Sequence, residues 1–216
     1  NTFEIADNSS LGTNTRFSIT NAGNVGIGTD APYGKLQIEG NTNSWSTAPM
    51  LVFSSSATNQ AAVRDWAIGP ADTSYGYFHI NQGASTGASP LATSNVRFTI
   101  SDTGNVGIGT SAPNARLEVK SDGSSATGAE IRLQHSNNNT TDVVSTVNFA
   151  NNAGSIAMIQ AGTALANNTG YINFFTDIAG TSAERMRIHT NGNVGIGTAS
   201  PNQLLEIQGD TPGLRI

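Results

Sequence analysis

Apolar side chains along this chain come in short alternating pairs, not in long runs or helical stripes. Phe17 and Ile19, Leu36 and Ile38, Leu51 and Phe53, Trp66 and Ile68, and Phe78 and Ile80 are each separated by one residue. The spacing returns at Phe98 and Ile100, Leu117 and Val119, Ile131 and Leu133, Val147 and Phe149, Ile156 and Met158, Ile172 and Phe174, Met186 and Ile188, and Leu205 and Ile207. A period of two puts both members of a pair on one face of an extended strand. No stretch carries a convincing 3.6-residue stripe, so the pattern predicts an all-β fold of short strands.

Three of these regions are copies of one another. Gly-Asn-Val-Gly-Ile-Gly-Thr, two small residues and Pro occur at Gly23 to Pro32, Gly104 to Pro113 and Gly192 to Pro201. A strand signal precedes each copy (Arg16 to Ile19, Arg97 to Ile100, Arg185 to Ile188), and another follows (Leu36 to Ile38, Leu117 to Val119, Leu205 to Ile207). The unit reads strand, tight turn, glycine-edged strand, proline-containing turn, strand. Gly23, Gly104 and Gly192 sit in turn contexts. Gly26, Gly28, Gly107, Gly109, Gly195 and Gly197 lie in or beside a strand, where glycine marks close approach of another backbone. Pro32, Pro113 and Pro201 hold the preceding residue extended and discourage a helix. Two copies also match a loose Gly-x-Gly-x-x-Ala dinucleotide fingerprint. That fingerprint requires a helix to follow, and here a proline and a strand follow instead, so the glycines read as structural.

The repeat divides the chain into residues 1–40, the end of one module with the first block; 41–120, a second module; 121–209, a third; and 210–216, the start of another. On this reading the chain is a fragment of a longer protein. Composition narrows the class. Ser, Thr and Asn number 22, 25 and 24 of 216 residues, and charged residues are 12%, about half the usual share. Leu, Ile, Val and Phe are too few and too evenly spread for a thick core within one chain. A repeat that cannot cover its own apolar face stacks on neighbours or on copies of itself. The glycine-edged strands are expected to let chains approach a common axis. The expectation is a repetitive short-strand β-fibre, an intertwined homotrimer. No cysteine is present, which excludes disulfides and thiolate metal sites. The ten basic residues are scattered, which argues against nucleic acid, and no apolar run is long enough to span a membrane.

The run Glu184 to Thr198, with Arg185-Met186-Arg187-Ile188 leading into Gly192-Asn193-Val194-Gly195-Ile196-Gly197-Thr198, resembles the repeated modules of tailed-bacteriophage tail fibres. Arg64-Asp65-Trp66-Ala67-Ile68-Gly69 is similar to such modules too. The resemblance spans three blocks and two linking segments. It implies a homotrimeric β-fibre, often placed upstream of a self-cleaving intramolecular chaperone domain, located in the virion and in contact with other tail proteins. It implies a non-enzymatic structural role, projecting or carrying recognition of a host surface glycan or protein. A bacterial trimeric surface adhesin and a glycan-degrading tailspike-like enzyme are the alternatives.

Candidate chemistry is sparse. His79, His135 and His189 share no metal-ligand spacing, and neither a metal nor another cofactor is expected. Asp65 with Asp72, or Asp177 with Glu184, has nothing in the sequence to fix the separation a glycosidase pair needs. Trp66 alternates with Ile68 and reads as core. Trp45, Tyr75 and Tyr77 lie in or beside polar linking segments and are the candidate receptor contacts, since loops on a rigid scaffold carry binding residues.

Overall fold

The computed structural model describes residues 3–6, 15–40, 49–54, 64–70, 76–85, 88–91, 96–121, 123, 128–136 and 140–209. The described residues form strands, turns and irregular segments, with no helix among them. The chain divides into two compact units, Asn1–Glu130 and Ile131–Ile216.

The first unit carries two sheets. One is β1 (Phe3–Ala6), β2 (Thr15–Ile19), β3 (Val25–Ile27) and β4 (Leu36–Ile38), paired in that order. The other has six strands: β5 (Leu51–Phe53), β6 (Trp66–Pro70), β7 (Phe78–Gln82), β8 (Val96–Ile100), β9 (Val106–Ile108) and β10 (Leu117–Val119). The second unit carries one six-stranded sheet. Its strands are β11 (Val143–Asn151), β12 (Gly154–Ala164), β13 (Ala166–Ile178), β14 (Thr181–Ile188), β15 (Val194–Ile196) and β16 (Leu205–Ile207). In every sheet, sequence neighbours are spatial neighbours.

The last three strands of each sheet are built alike. Two antiparallel strands meet at a tight turn, in which the N–H of Gly23, Gly104 or Gly192 donates to the carbonyl of Thr20, Ser101 or His189 at 2.8–2.9 Å. These glycines have φ of +73°, +79° and +87°, the left-handed region that L side chains avoid. The final strand then pairs parallel to the glycine strand: Val25 with Leu36, Val106 with Leu117, and Val194 with Leu205.

A register shift also recurs. It falls between Ile5 and Ala6, between Ile80 and Asn81, and between Phe174 and Phe175. The residue passed over on the partner strand is Arg16, Arg97 or Arg185. The arginine that opens each repeated block therefore marks a β-bulge, and its carbonyl accepts from the N–H of Gly28, Gly109 or Gly197.

One expected strand is absent. Residues 131–133 form no ladder, and the Leu133 carbonyl accepts from the Ser145 hydroxyl at 2.8 Å. The hairpins of β11 to β14 run longer than the pairs of apolar residues suggest, at 8 to 13 residues per strand.

Candidate interaction face

Parallel neighbours ordinarily need a crossover of a dozen or more residues, often a helix. Here the eight residues 28–35 suffice between β3 and β4, as do 109–116 and 197–204 in the other sheets. So short a connection must lie flat on the sheet. The middle glycine of the motif makes room for it. A Cβ at Gly26, Gly107 or Gly195 would stand 2.4, 2.8 or 2.3 Å from the carbonyl oxygen of Thr29, Thr110 or Thr198. The last glycine meets the returning strand in the same way, since a Cβ on Gly28, Gly109 or Gly197 would lie 2.0–2.3 Å from the carbonyl of Glu39, Lys120 or Gln208. The close backbone approach foreseen for these glycines is therefore made by their own chain.

Side-chain bonds fasten the crossover. The amide of Asn24, Asn105 or Asn193 donates to the carbonyl of Pro32, Pro113 or Pro201 at 3.0–3.2 Å, and all three prolines are buried. Gln37, Glu118 and Glu206 accept from the N–H of Tyr33, Asn114 and Asn202 at 2.7–3.0 Å. In the first two sheets a hydroxyl beneath the loop donates to it, Ser18 to Thr29 at 2.9 Å and Thr99 to Thr110 at 2.8 Å.

The result reverses the usual disposition of a single sheet. The polar face is covered by its own crossover, and Ser18, His79 and Thr99 are at most 1% exposed. The apolar face has nothing of its own sheet above it. Across the second sheet, Leu51, Ile68, Ile80, Phe98, Ile108 and Val119 stand in one row. The first sheet repeats this with Ile5, Phe17, Ile27 and Ile38. The third does so with Ile159, Phe174, Met186, Ile196 and Ile207. Ile27, Ile108 and Ile196 are 41%, 46% and 40% exposed. Trp66, read as core, sits on this face beside Phe53 and is also partly exposed. Apart from prolines, buried apolar side chains among the described residues reduce to Ala67 and Val96. Contiguous apolar surface repeated on this scale marks an interaction site.

The third sheet departs from the plan at one position. Where Ser18 and Thr99 donate to the crossover, it carries Arg187. Its guanidinium forks onto Glu184 at 2.7 and 2.9 Å and stacks 4.6 Å from the Tyr171 ring centroid. Hydrogen bonding to Glu184 holds Arg187 above its ordinary pKa, so it stays a cation. Glu184, weighed as one of a glycosidase pair, is thus engaged in an ion pair. The cue was readable, because Arg187 is a long charged residue at a strand position that carries Ser or Thr in the other copies.

Of the candidate receptor contacts, Trp45 and Tyr75 lie outside the described residues, as does Asp72. Tyr77 is half-buried and packs edge-on against His79, with centroids 6.1 Å apart. His189 lies in the turn beside Thr190 and Asn191, and His135 stands 3.9 Å from Asp142.

No protein-family model matches the chain, and no curated protein matches it. Among solved structures, the carboxy-terminal domain of the bacteriophage T5 L-shaped tail fibre aligns with 99% of this chain and 96% of that one, at 12% identity and a TM-score of 0.29. Similarity at that score supports no conclusion about this chain.

Proposed function

We propose that this chain is a non-enzymatic structural segment of a bacteriophage tail fibre, a homotrimer whose apolar sheet faces are covered by the other two copies. The observation that carries the reading is the uncovered apolar face, present in all three sheets at matching positions of the repeat. Its rows are aliphatic and aromatic without a charged member, so the complementary surface is another apolar face. A second copy of the chain supplies one at the same spacing. One crossover falls in each of the modules 1–40, 41–120 and 121–209 on this reading. The resemblance of the repeated blocks to tail-fibre modules supplies the biological setting: the virion, contact with other tail proteins, and carriage of recognition toward a host surface glycan or protein.

Sedimentation equilibrium and native mass measurement test the assembly. A trimer without a folded monomer at micromolar concentration is expected, and a compact, cooperatively melting monomer refutes it. Antibody labelling of intact particles tests the setting, since decoration confined to the tail is expected. Label on the bacterial surface in the absence of phage would instead establish an adhesin.

A further inference from the structure

The β12–β13 hairpin ends in an unusual residue. Ala164 pairs with Ala166 only after a register shift from the Thr163–Gly170 pair, so Leu165 lies in the irregular end of the hairpin, with φ of +72°. That conformation brings a side chain's Cβ against the following carbonyl and is disfavoured for any L residue. The described turns that need it mostly use glycine, as at Gly23, Gly104, Gly180 and Gly192. Leu165 is also 84% exposed, so its side chain gains almost nothing within its own chain. A strained, exposed leucine is a candidate for a contact the single chain does not make.

The same unit holds a complementary feature. Ile131, Leu133, Val147, Ile159, Ala161 and Ile172 line an apolar cavity of about 230 Å³. An apolar cavity of about 150 Å³ accepts a benzene ring, so this one has room for an isobutyl group. Ile159 and Ile172 also belong to the uncovered apolar face, so the cavity is continuous with it.

We propose that Leu165 of one chain seats in this cavity of a second copy. Each chain then carries one knob and one hole. Such a heterologous contact closes into a ring when the rotation between copies is cyclic. The inference rests on the trimeric reading and adds to it a residue that joins one copy to the next.

Leu165→Gly separates the two possibilities by sign. Glycine relieves the left-handed strain, so the hairpin alone is stabilised. If the side chain is seated in a neighbour, the trimer is weakened despite that relief. The expected result is a rise of about tenfold in dissociation midpoint concentration for each leucine removed from a buried site. A Leu165→Gly trimer that is unchanged or tighter overturns the inference and leaves the trimer standing. A wild-type monomer would refute the trimer itself. Should Leu165→Gly fail to fold, Leu165→Cys with Leu133→Cys gives the second test, because the chain has no native cysteine to interfere. A covalent trimer on denaturing gels after oxidation is expected. An intact trimer that yields only free chains after oxidation overturns the proposal.

Discussion

Replacing Gly107 with alanine isolates the crossover from every other role a glycine can play. Its backbone is extended, not left-handed, so alanine meets no conformational penalty there. The whole effect is steric. The added methyl would stand 2.8 Å from the Thr110 carbonyl oxygen and 2.9 Å from its Cγ2, with Pro113 Cβ at 3.4 Å. Two of these contacts are closer than van der Waals separation, and the nearest is backbone, so the loop must lift. Overpacking of this kind costs about 1–3 kcal/mol. Lifting also pulls the Thr110 carbonyl from the fully buried Thr99 hydroxyl, now 2.8 Å away. A buried hydroxyl left without its partner costs about 1–3 kcal/mol more. The expected loss is roughly 2–6 kcal/mol by these two terms, a large part of the stability of a domain this size. Chemical denaturation at fixed protein concentration, beside Gly104→Ala, measures it. Gly104 has φ of +79° and only the Arg116 Nη1 within 4 Å of an added Cβ, at 3.8 Å. Its cost is therefore the left-handed term of about 1–2 kcal/mol, and Gly104→Asn should recover part of that. Thr99→Val combined with Gly107→Ala should cost less than the sum of the two, because both break one bond. If Gly107→Ala is as stable as wild type while Gly104→Ala is not, the crossover does not rest on β9 and the account of the motif is wrong.

Asn105→Ala removes the 3.2 Å bond to the Pro113 carbonyl and should lower stability by about 1 kcal/mol; an unchanged melt would show that the proline turn holds without it. Ile108→Asp, on the uncovered face at 46% exposure, should abolish assembly and with it the folded chain, and sedimentation as a full trimer would refute the role given to that face. Replacing Trp45, Tyr75 and Tyr77 together with Ser should preserve assembly and reduce attachment to host cells; unchanged attachment in an adsorption assay would move recognition away from this segment.

The repeat itself announced the succession of strands and turns and, among the described residues, the lack of helix. Paired apolar residues such as Phe98 and Ile100 already define a face, because successive side chains of a strand alternate across the pleat. Glycine at 104 and proline at 113 mark the turns through backbone restrictions that act locally. Those features follow from interactions within a few residues, so they are legible in one dimension. Which neighbour covers each face is not. Gly107 announced that a backbone comes close, but whether that backbone belongs to the same chain depends on a parallel crossover far shorter than such connections usually are. The bulge at Arg97 changes register without changing composition, so periodicity does not reveal it. Nothing in the sequence marks Leu165, whose positive φ and exposure are set by the fold. Tertiary structure settled these points because each is a contact or a dihedral chosen by residues distant in sequence. Its main consequence is the bare apolar face. The crossover needs a glycine-lined polar surface to lie on, and a strand has only two sides, so the isoleucines are left facing away from the chain that carries them.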